Sequence, residues 1–141
     1  MEFRNSETKD NLMRAFAGES QARNRYTIAA GQARNEKLYV VEAVFRFTAE
    51  QEKEHAEVFY NYLNELAGEN IAIDGAYPVD IAKDVAALLR MAQHNEYEEH
   101  DDVYQNFAKK AKEEGFDAIA DTFTQIAEIE KIHGNRFGQF A

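Results

Sequence analysis

The sequence predicts an all-α protein built as a four-helix bundle, and three observations carry that prediction. The 141 residues contain one proline and seven glycines, so few residues interrupt a helix. Apolar residues recur at three- and four-residue steps in four separate segments, which is the period of an amphipathic helix. Only one long connection interrupts these segments. The length and the 45% hydrophobic content suit a single domain with a substantial core.

The first two helices are predicted at residues 7–33 and 38–66. Ser6 precedes the first helix and is a suitable N-cap residue. The run 34–37 contains no apolar residue and is predicted to be the turn between them. Gly68 follows the second helix and suits a left-handed C-terminal cap.

The last two helices are predicted at residues 80–114 and 117–137, separated by the helix breaker Gly115. Asp80 is the expected N-cap of the third helix. Residues 67–79 form the one long connection. Two antiparallel helical hairpins joined by one long crossover are the plan of ferritin-like bundles.

The crossover leads to a prediction about assembly. Helices with these bounds require a link that descends roughly 45 Å along the bundle. Residues 67–79 reach at most about 45 Å when fully extended. Either the link is taut or the helix ends unwind. Because a taut hinge favours exchange of hairpins between chains, we expect a homodimer, with domain swapping as one form of it.

Composition excludes several classes of protein. There is no cysteine, which excludes disulfides, thiolate metal sites and thiol catalysis. The formal net charge of −10 argues against nucleic acid or an anionic membrane as partner. The N-terminus is too polar for a signal peptide, and no apolar run approaches the ~20 residues of a membrane span. We therefore expect a soluble, cytoplasmic protein.

Two copies of Glu-x-x-His stand out, Glu52–His55 and Glu130–His133. Residues three apart project from the same face of a helix, so one turn supplies two ligands. Both copies lie on the apolar stripe of their helix. Three more glutamates occupy the stripes of the other two helices: Glu19, Glu96 and Glu99.

The positions of these residues relative to the turns predict that they meet. In an antiparallel hairpin, residues equidistant from the turn lie at the same height. Glu19 and Glu52 are equidistant from residues 35–36, inside the predicted first turn. Glu96 and Glu99, on one side of the second turn, and Glu130, on the other side, are likewise about equidistant from residues 113–114. All four helices therefore bring donors to one level.

Glutamate is abundant here, so the spacing alone also fits a bundle with exposed charged faces. Burial favours the other interpretation, because an unpaired carboxylate in an apolar core costs several kcal/mol. No lysine or arginine occupies a matching stripe position. Carboxylates with imidazoles on four helices are the ligand set of di-iron bundles, so two iron ions are the predicted cofactor. An oxygen-rich site also accepts manganese or a mixture of metals.

The remaining histidines and two tyrosines are secondary candidates. His94 and His100 lack a glutamate three residues earlier and are predicted to lie outside the set of ligands. Tyr26 and Tyr104 lie about two turns from Glu19 and Glu96. They are either half-buried core aromatics or donors that orient the ligand carboxylates.

Four ordered motifs give the chain a resemblance that covers nearly its whole length. The segments AFAGESQARNRY (15–26), Glu52–His55, EYEEHDDVYQNFAKKAKEEGF (96–116) and EKIHGNRF (130–137) closely resemble the rubrerythrin family. The resemblance implies a ferritin-like di-iron protein that reduces hydrogen peroxide to water.

The resemblance also implies a role for each ligand. The implied ligands are the bridging carboxylates Glu52 and Glu130, the terminal carboxylates Glu19, Glu96 and Glu99, and the imidazoles of His55 and His133. Glu99 would bind in the diferric state, with an oxo or hydroxo bridge between the irons, and His55 would bind in the diferrous state. This redox-linked exchange would give both residues a catalytic role.

One departure from the family concerns the source of electrons. Better-known rubrerythrins carry a rubredoxin domain with four cysteines, whereas this chain has no cysteine and ends at Ala141. We expect the stand-alone form, with electrons from an external, rubredoxin-like donor and ultimately from NAD(P)H. A ferroxidase or iron-handling protein is the alternative, because it also uses a di-iron bundle.

Overall fold

The computed structural model describes residues 1–141 and contains only helices, turns and loops. The elements are 3₁₀ turns at Phe3–Asn5 and Asn64–Leu66, a π-helical turn at Glu99–Val103, and the helices α1 (Glu7–Asn35), α2 (Tyr39–Asn61), α3 (Val85–Glu98), α4 (Tyr104–Glu113) and α5 (Asp117–Phe140). The π turn joins α3 to α4, so these three segments form the third helix of the bundle. The predicted all-α four-helix architecture is confirmed.

The first hairpin begins and turns where the sequence predicts. The Ser6 side chain accepts a hydrogen bond from the Lys9 amide at 3.1 Å, which caps α1. At the turn, Leu38 N–H donates to the Ala33 carbonyl at 2.8 Å. Lys37 provides the left-handed residue of this turn, with φ of 62°.

The crossover is longer than predicted, and both adjoining helix bounds are corrected. Helix α2 ends at Asn61, not Leu66, and α3 begins at Val85, not near Asp80. Asp84 is the N-cap of α3, since its carboxylate accepts from the Ala87 amide at 2.8 Å. Asp84 was not predicted as a cap, and the tertiary contacts of Asp80 explain why the helix begins later than expected.

Those contacts come from α1, along which the crossover lies, and from α3. Asp80 accepts from Arg25 at 3.3 Å and from Asn95 at 2.7 Å, so its carboxylate binds side chains instead of capping a helix. Gln32 Nε2 donates to the Ala82 carbonyl at 3.2 Å. The helix ends are therefore unwound and the link is not taut. The homodimer and the exchange of hairpins stay predictions, without the support of a strained hinge.

The second hairpin turns at Gly115. This residue has φ of 91°, and Phe116 N–H donates to the Ala111 carbonyl at 2.8 Å, as in a Schellman cap. Helix α5 continues to Phe140, three residues beyond the predicted end. A continuous α-helix was expected through residues 99–103, where the π turn instead widens the backbone.

The hydrophobic core is divided into two clusters. One contains 13 buried residues, including Tyr26, Phe45 and Phe137. The other contains 12, including Phe59 and Tyr104. On every helix of the bundle, the predicted ligand positions fall between residues of one cluster and residues of the other. A polar layer therefore crosses the bundle near its middle. No helix is long and apolar enough to cross a membrane.

Candidate metal centre

The polar layer contains two groups of potential metal ligands that share two members. The first group is Glu19, Glu52, His55 and Glu130, and the second is Glu52, Glu96, Glu130 and His133. Within each group, one donor atom from every residue lies within 4.8 Å of the others. Two groups that share Glu52 and Glu130 could hold a pair of cations.

The donor atoms face common points and do not bond to one another. His133 Nδ1 lies 2.9 Å from Glu52 Oε1, and His55 Nδ1 lies 3.0 Å from Glu130 Oε1. Neither contact has the alignment of a hydrogen bond. The buried atoms without a hydrogen-bond partner at this layer are Glu19 Oε2, both carboxylate oxygens of Glu52 and Glu130, Glu96 Oε2, Glu99 Oε2, and Nδ1 of His55 and His133. Orphaned atoms at this density are expected only where a ligand completes them.

Burial makes the charge of this layer expensive without a cation. Glu19, Glu52, Glu96 and Glu130 are each at most 1% exposed. Burial and then the neighbouring carboxylates raise the pKa of Glu52 and of Glu130 well above the ordinary value of 4.5. Burial would also raise the pKa of Glu19, but Glu52, His55 and Tyr104 outweigh it and lower that pKa. No lysine or arginine forms an ion pair with these four glutamates.

Two buried tyrosines each donate a hydrogen bond to a carboxylate on a different helix. Tyr26, on α1, donates to Glu96 Oε1 at 2.6 Å. Tyr104, at the start of α4, donates to Glu19 Oε1. The sequence placed each tyrosine near a glutamate of its own helix, whereas the bonds cross between helices. Each half of the core thus supplies one hydroxyl that orients a carboxylate of the polar layer.

Glu99 is a member of neither ligand group, although its carboxyl lies near that of Glu130. It is the first residue of the π turn and is half-buried. Its Oε2 atom is buried and has no hydrogen-bond partner. Burial, and then the charges of Glu96 and Glu19, raise the pKa of its carboxyl well above 4.5. Glu99 is therefore a spare carboxylate beside the site, while His55 is among the converging donors.

One residue that contacts the site was missed from the sequence. Gln51 Oε1 lies 2.6 Å from His133 Nε2 and accepts the ring N–H. This bond leaves Nδ1, which faces Glu52 and Glu130, as the atom with a lone pair. A glutamine beside Glu52 on a charged helix carries no sequence signal, because only the packing of α2 on α5 reveals its partner.

The two other histidines lie outside the converging donors. His94 is on the surface and pairs with Glu98 at 3.3 Å. His100, in the π turn, pairs with Asp101 at 2.6 Å and with Glu128 at 3.2 Å.

The donor set fits a pair of iron ions. Four glutamates and two histidines from four helices give hard carboxylate oxygens and borderline imidazole nitrogens, which suit iron and also manganese. The orphaned buried atoms supply an independent reason to expect cations here.

Comparison with known proteins identifies the family. The family model described as rubrerythrin matches residues 10–141. The chain belongs to the rubrerythrin family. The resemblance noted in four motifs therefore extends over nearly the whole sequence.

Curated relatives within the rubrerythrin family cover the chain almost end to end. A rubrerythrin of Clostridium perfringens is 43% identical over 140 residues, which is 99% of this chain and 72% of that protein. A rubrerythrin of Porphyromonas gingivalis is 45% identical over 135 residues, which is 96% of this chain and 66% of that protein.

A solved structure supports the ferritin-like expectation for this family member. Nigerythrin in its fully reduced, all-ferrous state superposes with a TM-score of 0.81 at 30% identity. The match covers 92% of this chain and 63% of the nigerythrin chain. The chain thus spans about two thirds of the length of these relatives. The activities of the full-length relatives are therefore assigned to this chain only as proposals.

Proposed function

We propose that this protein is a di-iron peroxidase that reduces hydrogen peroxide to water with electrons from an external donor. The observation that carries the proposal is the pair of buried ligand groups sharing Glu52 and Glu130. A peroxide needs two electrons to break its O–O bond, and two adjacent one-electron metals meet that requirement.

The ligand assignment follows from the same geometry. We assign Glu52 and Glu130 as bridges because each belongs to both groups. Glu19 and His55 would complete one site, and Glu96 and His133 would complete the other. The crossed hydrogen bonds from Tyr104 and Tyr26 support terminal roles for Glu19 and Glu96, since each leaves the second oxygen of its carboxylate for a metal.

Bound iron would supply one electron per ion together with Lewis acidity toward the peroxide oxygens. The chain contributes orientation, proton control and exclusion of water. Gln51 fixes the His133 tautomer, the tyrosines hold two carboxylates, and the two core clusters shield the layer from both ends. In the metal-free protein, burial and then the charges of Glu96 and Glu19 raise the pKa of Glu99, so Glu99 is the candidate to carry a proton beside the site.

We further propose that Glu99 and His55 exchange as the oxidation state changes. His55 is among the converging donors, and Glu99, whose buried Oε2 atom has no hydrogen-bond partner, adjoins them. The π turn supports a mobile role for Glu99, because π-helical turns lack regular α-helical bonding and occur often at functional sites.

The electron donor is proposed to be a separate rubredoxin-like protein, reduced in turn from NAD(P)H. The chain has no cysteine with which to hold a thiolate-bound iron of its own. The cytoplasmic location stays a prediction.

Stopped-flow oxidation of the anaerobically reduced, iron-loaded protein tests the proposal. We expect hydrogen peroxide to oxidise the centre much faster than dioxygen does. Preference for dioxygen, accompanied by a cage-sized assembly that takes up far more than two irons per chain, would support the ferroxidase alternative instead. Iron content that stays near zero after reconstitution would contradict both.

A further inference from the structure

A cavity of about 420 Å³ opens beside Glu99. It lies between α1, the crossover and the π turn, and its inner wall includes Glu99 and Tyr104. Tyr104 is the residue that donates to Glu19, so the cavity reaches side chains that contact or adjoin the ligand groups. The cavity therefore adjoins the polar layer on the side of Glu99, although none of the six converging donors lines it.

The cavity is much larger than hydrogen peroxide requires. A molecule of that size occupies little more than the roughly 30 Å³ of a water molecule in the liquid. Sites for small organic ligands are clefts of roughly 300–1,000 Å³ with mainly apolar walls. The apolar part of this wall comes from Ala15, Ala76, Tyr77, Pro78, Val103 and Phe107. Its volume and lining match an organic molecule.

The outer wall is the crossover, which two arginines of α1 hold in place. Arg14 Nη2 lies 2.8 Å from Asp74 Oδ1, and Arg25 Nη1 lies 3.3 Å from Asp80 Oδ2. Both guanidinium groups border the cavity, but an aspartate neutralises each. Glu98 adds negative charge to the wall, and the Glu99 carboxyl adds no positive charge. The balance disfavours an anionic compound and favours a neutral one.

Gly18 keeps part of this space open. It lies in the middle of α1, where glycine destabilises a helix by roughly 0.5–1 kcal/mol relative to alanine. A Cβ atom at Gly18 would meet only Tyr77 Cε1, at an ordinary 3.5 Å. Packing therefore does not require glycine here, whereas a larger side chain would fill the cavity.

We propose that the cavity binds neutral organic hydroperoxides with an apolar substituent and presents them to the metal centre for reduction. The inference rests on the proposed peroxidase function. The reaction would take two electrons from the diferrous centre and two protons, break the O–O bond, and release an alcohol and water. Two successive one-electron transfers from the external donor would then restore the diferrous centre.

Binding can be tested without turnover. The probe is 2-phenyl-2-propanol, the alcohol formed from cumene hydroperoxide, added to zinc-loaded protein, which has no redox chemistry. We expect saturable amide chemical-shift changes at Gly75, Ala76 and Val103. Gly18→Leu should abolish them and Gly18→Ala should retain them. Uniform or absent changes in the wild-type protein would overturn the proposal.

A kinetic experiment tests the organic substrate separately from the proposed peroxidase function. Stopped-flow oxidation of the diferrous protein would compare cumene hydroperoxide with hydrogen peroxide. We expect Gly18→Leu to lower the ratio of the two rate constants at least about tenfold, and Gly18→Ala to lower it far less. Ala76→Phe, on the crossover wall, gives a second test in case Gly18→Leu does not fold.

The two failures look different. A fast reaction with hydrogen peroxide alone, or a rate ratio that neither cavity-filling variant changes, would overturn the organic substrate and leave the peroxidase intact. Failure of both peroxides to oxidise the diferrous protein would overturn the proposed function itself.

Discussion

At the scale of single residues, the polar layer opposes the folding of the metal-free chain. Glu52 and Glu130 are fully buried among other carboxylates, and their oxygens have no hydrogen-bond partners. Such groups persist in a core when function requires them, because an unpaired buried charge is strongly destabilising. Stability and metal binding should therefore respond in opposite directions to their removal.

We predict that Glu52→Gln stabilises the metal-free protein and prevents it from binding a metal pair. The amide has nearly the same shape but no charge to bury, so the expected gain is about 1–3 kcal/mol near neutral pH. Thermal unfolding with and without iron measures both effects. Glu54→Gln, an exposed change on the same helix, is the control and should leave both quantities as in the wild type. Loss of metal-free stability in Glu52→Gln would contradict the prediction.

The pH dependence of the metal-free protein follows from the same carboxyls. Folding raises the pKa of Glu52, Glu99 and Glu130 above 4.5, so their stabilising contribution is complete below that pH and is lost as pH rises through the folded values. The lowered pKa of Glu19 acts in the opposite sense. The advantage of Glu52→Gln over the wild type should accordingly grow as the pH rises above 4.5.

At the scale of elements, turns and caps were the most predictable features. Ser6 and Gly115 occupy the cap positions expected from their chemistry. The π turn at Glu99–Val103 was not predictable, because the run EHDDV contains no glycine or proline and reads as ordinary helix. The predicted start of α3 was wrong because the prediction chose Asp80 and missed Asp84, which has the same capping chemistry. The salt bridge from Arg25 and the hydrogen bond from Asn95 occupy the Asp80 carboxylate and leave Asp84 as the cap.

The turn between α1 and α2 contains a residue in an unfavourable backbone conformation. Lys37 has φ of 62°, a left-handed conformation that costs a residue with a side chain about 1–2 kcal/mol. We predict that Lys37→Gly stabilises the protein by about 0.5–1 kcal/mol, since part of the relief is offset by the greater freedom of glycine in the unfolded chain. Chemical denaturation provides the measurement. Lys37→Ala keeps the strain and should show no such gain; an equal gain in both variants would point to charge as the cause.

At the scale of the whole molecule, the site was predicted mainly from the register of the helices. Symmetry about the two turns placed donors from four helices at one level, and the structure brings six of the seven predicted ligands into two groups. Side-chain direction within that level was beyond the sequence. Which carboxylate each tyrosine reaches, and the contact of Gln51 with His133, depend on how one hairpin packs against the other.

The two hairpins are also joined at the end of the bundle, away from the metal layer. The carboxylate of Glu114, after α4, accepts from the amides of Glu7 and Thr8 at 2.9 and 2.8 Å and from the Thr8 hydroxyl. A carboxylate from the second hairpin thus binds the N-terminus of α1, where the helix dipole also favours negative charge. Glu114 is 107 and 106 residues from Glu7 and Thr8 in the sequence, so these hydrogen bonds should stabilise the packing of one hairpin against the other.

We predict that Glu114→Ala lowers the free energy of unfolding by about 1–2 kcal/mol at neutral pH, the range for loss of a helix cap. Burial would raise the pKa of Glu114, but the bonds from Thr8 and Glu7 outweigh it and lower that pKa below 4.5. Its contribution is therefore present above that value and is lost as pH falls through the folded pKa. The difference between wild type and Glu114→Ala, measured by denaturant unfolding, should shrink on acidification. Glu113→Ala, which removes only an exposed pair with Lys110, is the matched control. A difference that persists at low pH would mean that packing, and not the carboxylate charge, joins the hairpins at this end.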